Sequence, residues 1–210
     1  MRAALVAVLF VAVGCRPSPG PNMYGNQEMF GDAGSTGLPG PDPYVPGSER
    51  LSVGVFYESK YSQVIPIDNV TTHLYIYSNT VTITDDSDHI EGFASSRVTH
   101  NGQGFVGFGV NWDSAKDMSE WTHLHVSFKS SDAIFSTFQV GMSNGTPVDV
   151  DVTKYGYTND GQWHSLVIPM ADFAGVDFAT VVAPFVIAGT GDMTDLGQSF
   201  LIDDLYFTAE

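Results

Sequence analysis

From Leu51 to the end of the chain, apolar and polar residues alternate in short runs, and no long stretch carries the 3.6-residue period of an amphipathic helix. Leu51 to Tyr57 reads as a first strand. Within Val70 to Ile83, Leu74 and Ile76 take one face while Tyr75 and Tyr77 take the other. Glu91-Gly92 leads into a small-residue strand ending at Val98. Gly104 to Trp112 is glycine-rich and apolar, which reads as a strand packed closely against another backbone. Leu124, Val126 and Phe128 alternate with His123, His125 and Ser127. Ile134, Ser136, Phe138, Val140 and Met142 share a face, and Val148 to Tyr157 reads as a further strand. Trp163, Ser165 and Val167 alternate with His164, Leu166 and Ile168, between a turn at Gly161 and a stop at Pro169. Val181 to Ala188 and Phe200 to Phe207 complete the set. Turn signals (Asp85-Asp86, Asn101-Gly102, Asn144-Gly145, Asp160-Gly161) recur roughly every ten residues. The pattern predicts an all-β fold, a two-sheet antiparallel β-sandwich.

The first part of the chain follows different rules. Arg2 and the apolar run Ala3 to Val13 form a targeting segment too short to span a membrane. It closes on Ala12-Val13-Gly14-Cys15, small residues before the chain's single cysteine. This resembles the bacterial lipobox, which implies cleavage before Cys15 and lipidation of its sulfur. Arg16, rather than Asp, follows the cysteine, and the resemblance then implies the outer membrane or cell surface. From Arg16 to Ser48, Pro, Gly, Asn and Ser dominate, the composition of a flexible tether. The expected organisation is a signal peptide over 1–14, a lipidated cysteine and linker over 15–48, and a β domain over 49–210.

Charge narrows the partners. The 210 residues contain 8 Lys and Arg against 24 Asp and Glu, a formal −16. Such a chain is repelled by nucleic acid and by anionic lipid surfaces, so contact with the membrane is expected only through the anchor. The acidity serves solubility, or some of the carboxylates bind cations. Catalytic patterns are absent. There is no Gly-x-Ser-x-Gly elbow, and no sequence feature pairs two carboxylates across a cleft as glycoside hydrolysis requires. His123 and His125 fall on one strand face without a third ligand, which reads as an exposed polar face rather than a zinc site.

Four pieces carry a resemblance: Gly161-Gln162-Trp163 followed by an apolar strand and Pro169-Met170-Ala171-Asp172-Phe173; Glu91 to Val98; Asp117-Met118-Ser119-Glu120-Trp121-Thr122-His123-Leu124; and Ile202 to Phe207. In this order they are similar to strands of the β-jelly-roll carbohydrate-binding modules with the galactose-binding-like fold, over about Leu51 to Phe207. The resemblance implies a non-catalytic module that binds a polysaccharide or other glycan. On the same fold, a protein-binding or structural envelope module without a sugar site is the alternative, with another envelope protein as its partner.

Sugar rings stack their C–H faces on aromatic side chains, while polar groups bond the hydroxyls. Strand alternation nominates Tyr75, Tyr77, Tyr155, Tyr157, His125 and Gln139 as outward groups. Trp112, at a strand end before a loop, is a candidate stacking platform. The resemblance assigns Trp121 and Trp163 to the core. It also implies a structural calcium ion held by Glu58, Glu91 and Asp203, with Asp204 as the alternate, although the stretch between Glu58 and Glu91 is longer than in the family. By alternation Asp203 shares a face with Leu205 and Phe207, an inward carboxylate that needs a partner.

Overall fold

A computed structural model describes residues 50–57, 64–66 and 72–209, the backbone alone for 64–66. The expected signal peptide, Cys15, the expected linker and Glu58 lie outside the described residues. The strands are β1 (Arg50–Ser52), β2 (Val64–Pro66), β3 (Thr72–Ile76), β4 (Val81–Asp86), β5 (Ser95–His100), β6 (Phe105–Trp112), β7 (His123–Lys129), β8 (Gln139–Ser143), β9 (Pro147–Asp151), β10 (His164–Pro169), β11 (Ala183–Thr190) and β12 (Ser199–Thr208). Among the described residues, the helical segments are short 3-10 turns.

The strands form two sheets. One has five strands in the order β3-β6-β11-β8-β9. The other has seven and is built around β12, which pairs β7 along one edge. On its other edge it pairs first with β5 and then with β1. All pairings are antiparallel except β1 with β2. The all-β sandwich expected from alternation is therefore the observed architecture.

The inward residues explain why the sheets stay together. Val106, Phe108 and Val110 on β6 face Phe200, Ile202, Leu205 and Phe207 on β12, with Leu124, Val126 and Phe128 from β7. Phe200 is the hub. Its ring lies 4.8 Å from Phe135, 5.1 Å from Phe138, 5.8 Å from Phe128 and 6.2 Å from Phe108. Edge-to-face and offset pairs of this kind add to the burial of apolar area.

Several boundaries differ from the sequence reading. Strand β1 stops at Ser52, because Gly54 and Phe56 take positive φ (83° and 57°) in the turn that follows. The stretch Val70 to Ile83 is two strands in different sheets. Ser78 and Asn79, at φ 50° and 54°, turn the chain between β3 and β4. Ile134 and Ser136 lie in a 3-10 turn before β8, and Val148 to Tyr157 is β9 followed by a 3-10 turn over Val152–Tyr155. On β12 a bulge between Asp203 and Tyr206 changes the parity. Asp203 opposes Ser127 and Tyr206 opposes His125, so Asp203 shares the outer face with Tyr206 and not the core face with Leu205 and Phe207. The residue that absorbs the bulge is Asp204, at φ 61°.

Replacing Phe200 by Ala removes the ring that links both sheets. We expect a loss of about 3–5 kcal/mol in unfolding free energy by urea titration, larger than for any single exposed aromatic. A loss below about 1 kcal/mol would contradict the hub role.

Candidate functional site

The outer face of the five-stranded sheet, termed the trough, runs between aromatic side chains on one side and carboxylates on the other. Its residues follow from parity: whatever does not point at Phe108 and its neighbours points outward. Across the strands, Tyr75 pairs Gly109, Gly109 pairs Val186, Val186 pairs Gly141 and Gly141 pairs Asp149. The neighbouring row runs Gly107, Ala188, Gln139, Asp151. The middle of both rows therefore carries almost no side chain, while the ends carry aromatic rings on one side and carboxylates on the other.

The glycines are required by what lies on them. A Cβ on Gly109 would meet the Tyr77 hydroxyl at 2.7 Å, and one on Gly107 would meet the Phe105 ring at 2.9 Å and the Tyr77 ring at 3.0 Å. The Tyr77 ring thus rests on the β6 backbone, set there by the positive-φ turn that follows it. On the far side the Asp149 carboxylate lies over Gly141, in the place a Cβ would take. Between these walls lie Val186 and Ala188 of β11; the Tyr77 ring and the Asp149 carboxylate cover the strands on either side, and Val186 is 4% exposed.

The walls differ in chemistry. On one side are Tyr75 (41% exposed), Phe105 (40%) and His73, whose Nε2 lies 2.7 Å from Asp113 Oδ1 and whose ring is 5.9 Å from Tyr75. On the other are the exposed Gln139 amide, Asp149 and Asp151. Asp151 Oδ2 accepts from the Thr137 hydroxyl at 2.6 Å, and its Oδ1 accepts from Thr153 N–H at 2.8 Å. Burial against the sheet pushes the Asp149 carboxyl above the usual carboxylate range. Burial acts the same way on Asp151, but the bonds from Thr137 and Thr153 outweigh it and hold that carboxyl low.

Of the residues nominated from sequence, the structure brings Tyr75, Tyr77 and Gln139 to this face. The others go elsewhere. Trp112 is 5% exposed and packs in the core, in phase with Val110 and Phe108; the expected surface platform is an interior ring. Tyr157 is also interior, and its hydroxyl donates to the Phe135 carbonyl at 2.9 Å. Tyr155, in the turn after β9, packs on the core and donates to Asp172 Oδ2 at 2.6 Å. His125 belongs to the opposite side of the sandwich, stacked on Tyr206 at 4.6 Å. Trp121 packs on the core as expected, but Trp163 is half-buried, with its indole N–H donating to Asp88 Oδ1 at 2.9 Å. Sequence reasoning did not single out Phe105, Gly107, Gly109, Gly141 or Asp149. The signal was the alternation of Gly107 and Gly109 with large apolar residues, which marks the outer face of β6 as bare.

The carboxylates expected to hold calcium lie near the bulge of β12. Asp203 Oδ2 accepts N–H bonds from Ile90 (2.8 Å) and Glu91 (3.1 Å), and Oδ1 accepts from Asp204 N–H (2.8 Å). The loop carrying Ile90 and Glu91 thereby covers a carboxylate that faces outward, leaving it 1% exposed. Glu91 and Asp204 are equally buried, and Asp204 Oδ1 has no hydrogen-bond partner among the described residues. The positive charge nearby is Arg50, fully buried, with Nη1 donating to the Tyr57 hydroxyl at 2.6 Å and its guanidinium over the Tyr206 ring. Burial pushes Asp203 and Asp204 each up to about 8, and their mutual charge and that of Glu91 add to the rise for Asp204. Among the described residues, no three His, Cys, Asp or Glu side chains form a metal-ligating group.

No family model matches the chain, and no curated protein does. Among solved structures it is similar to a family 11 carbohydrate-binding module from Clostridium thermocellum in complex with a β-1,3-1,4-mixed-linked tetrasaccharide. Identity there is 14%, over 68% of this chain and 89% of that one, with a TM-score of 0.45. It is also similar to a family 30 carbohydrate-binding module of a cellulosomal cellulase of the same organism, at 15% identity over 65% of this chain and 86% of that one, TM-score 0.47. An exo-β-agarase is matched over 22% of its own length, at 11% identity over 64% of this chain, TM-score 0.49.

The raised carboxyls give a pH prediction. Unfolded Asp titrates near 4 and these two titrate near 8, so between those values the folded state holds more protons than the unfolded one. Stability therefore falls as pH rises through that window and levels off above it. With chelator present, the urea midpoint is expected to be higher at pH 5 than at pH 8, and Asp204→Asn should flatten the slope. A midpoint that rises with pH would contradict the raised carboxyls of Asp203 and Asp204.

Proposed function

We propose that this protein is a surface-anchored lipoprotein whose β domain binds a glycan non-catalytically in the trough of the five-stranded sheet. The observation that carries this is the pairing of aromatic side chains with hydrogen-bonding side chains on either side of β11. Tyr75, Tyr77 and Phe105 offer ring surface for the C–H faces of sugars. Gln139, Asp149 and Asp151 offer acceptors, and Gln139 a donor, for hydroxyls.

The same geometry argues against hydrolysis at this face. Hydrolysis needs two carboxylates on opposite sides of the scissile bond. Asp149 and Asp151 stand on one strand, on one wall, and the carboxylate on the other wall, Asp113, is bonded to His73 Nε2.

Anchoring rests on the Cys15 motif and the Pro- and Gly-rich stretch after it. If Cys15 carries lipid, Cys15→Ser is expected to move the protein from the membrane fraction to the soluble one; unchanged fractionation would contradict the anchor. A structural cation is part of the proposal too. Asp204 Oδ1 is the group that suits a hard cation, whereas the Asp203 oxygens are already used by N–H donors. Calcium held there would raise the unfolding midpoint at pH 8 and remove the fall between pH 5 and 8.

The trough is tested with a glycan array probed with the whole chain, followed by Tyr77→Ala and Tyr75→Ala. We expect binding to a related set of polysaccharides, weakened roughly tenfold by either change, about 1.4 kcal/mol. A blank array with folded protein would contradict the glycan reading and favour a protein partner. Binding that both variants retain in full would place the site elsewhere.

A further inference from the structure

The outer face of the seven-stranded sheet holds a second concavity, about 190 Å³, that the trough does not use. Its floor is Leu201, and across the strands Arg97 and Lys129 flank that residue on either side. Small residues keep it open. Ser130 and Ser131 form the turn after β7, and Gly161, at φ 76°, forms the turn before β10. The two turns are tied by the Gly161 N–H bond to the Ser130 carbonyl at 2.8 Å.

Every charge at the rim is held by a hydrogen bond or ion pair. Arg97 Nε donates to Asp86 Oδ2 at 2.7 Å, and its Nη1 donates to the Ser199 hydroxyl at 3.0 Å. Lys129 Nζ donates to Asp88 Oδ2 at 2.6 Å, and Asp88 Oδ1 accepts the Trp163 indole N–H. Asp132 Oδ2 accepts from the Ser199 N–H at 2.6 Å. These groups are held in place yet remain partly solvent-accessible: the side chains of Arg97, Lys129 and Asp88 are 41%, 27% and 44% exposed. A guanidinium has five donors and an ammonium three, so both cations keep N–H groups beyond those in the described bonds.

We propose that this pocket is a second carbohydrate site, one that takes a single neutral sugar residue such as a chain end. Three features set the ligand class. The volume falls below the roughly 300–1,000 Å³ of sites for drug-sized ligands, which leaves room for one ring and not a chain. The rim combines donor-only side chains (Arg97, Lys129) with acceptor-only ones (Asp88, Asp132), matching hydroxyls that both give and accept. The local charges also offset one another: Asp86, Asp88 and Asp132 outnumber the two cations by one, so an anionic ligand meets no net attraction. Trp163 stands beside the pocket through its bond to Asp88. The site is independent of the trough, because the two lie on opposite outer faces of the sandwich.

The test is NMR on the whole chain carrying Cys15→Ser, titrated separately with glucose, galactose, mannose and arabinose to high millimolar concentration. For at least one sugar, the Trp163 indole N–H and the Gly161 amide are expected to shift saturably while Gly107, Gly109 and Gly141 stay still. Lys129→Met and Arg97→Gln should each weaken that response at least tenfold. Ser131→Trp, which fills the cavity from its exposed rim and leaves the charge pairs intact, should abolish it. Tyr77→Ala, which disables the trough, should leave it unchanged, so loss of polymer binding and loss of this site are read separately. No shift at Trp163 and Gly161 with any of the four sugars, or a shift that survives Ser131→Trp, overturns the proposal.

Discussion

The aromatic contact of Phe200 with Phe108, Phe128, Phe135 and Phe138 is the constraint on which the rest of the molecule depends. It fixes which side of each strand is inside. Once Phe108 is committed to that core, Gly107 and Gly109 must face outward, and with them Tyr75, Val186, Gly141 and Asp149 in one row. The trough is what the core leaves over. Its shape depends on residues with no side chain, since a Cβ at Gly109 or Gly141 would sit where the Tyr77 hydroxyl or the Asp149 carboxylate lies.

The seven-stranded sheet meets a different problem. Its central strand must leave one neighbour and take up another, and the β12 bulge makes that change at Asp203–Asp204. Carboxylates at this point are costly to bury. Backbone N–H groups of Ile90 and Glu91 satisfy Asp203, and Arg50 supplies positive charge to Asp204. The loop from Asp88 to Glu91 is thereby tied to two places: its Asp88 anchors Lys129 and Trp163, and its backbone covers Asp203. Stability at the bulge and the shape of the pocket near Trp163 thus share one loop.

Much of this was legible in the sequence. Strict alternation identified β7 and β10, because each has a large apolar residue at every second position, while β6 was marked by its glycines among apolar residues. Parity was also enough to place Trp112 inside, since it is in phase with Phe108 and Val110, yet its position at a strand end suggested a surface role. Tyr155 and Tyr157 have the spacing of one strand face, but the chain leaves the sheet at Val152 and that spacing loses its meaning. The face of Asp203 could not be read, because a bulge shifts parity by one without a glycine to announce it. Which outward groups meet was hidden as well, since Tyr77 and Asp149 belong to the two edge regions of a five-stranded sheet whose order is set only by tertiary pairing.

The most direct test of the glycan reading is chemical-shift mapping with an oligosaccharide cut from a polysaccharide that the whole chain binds. The account predicts the largest amide changes at Gly107, Gly109, Val186, Gln139 and Gly141, in two adjacent rows across the five-stranded sheet. Changes confined to the β7–β12 face, around His125 and Tyr206, would contradict it.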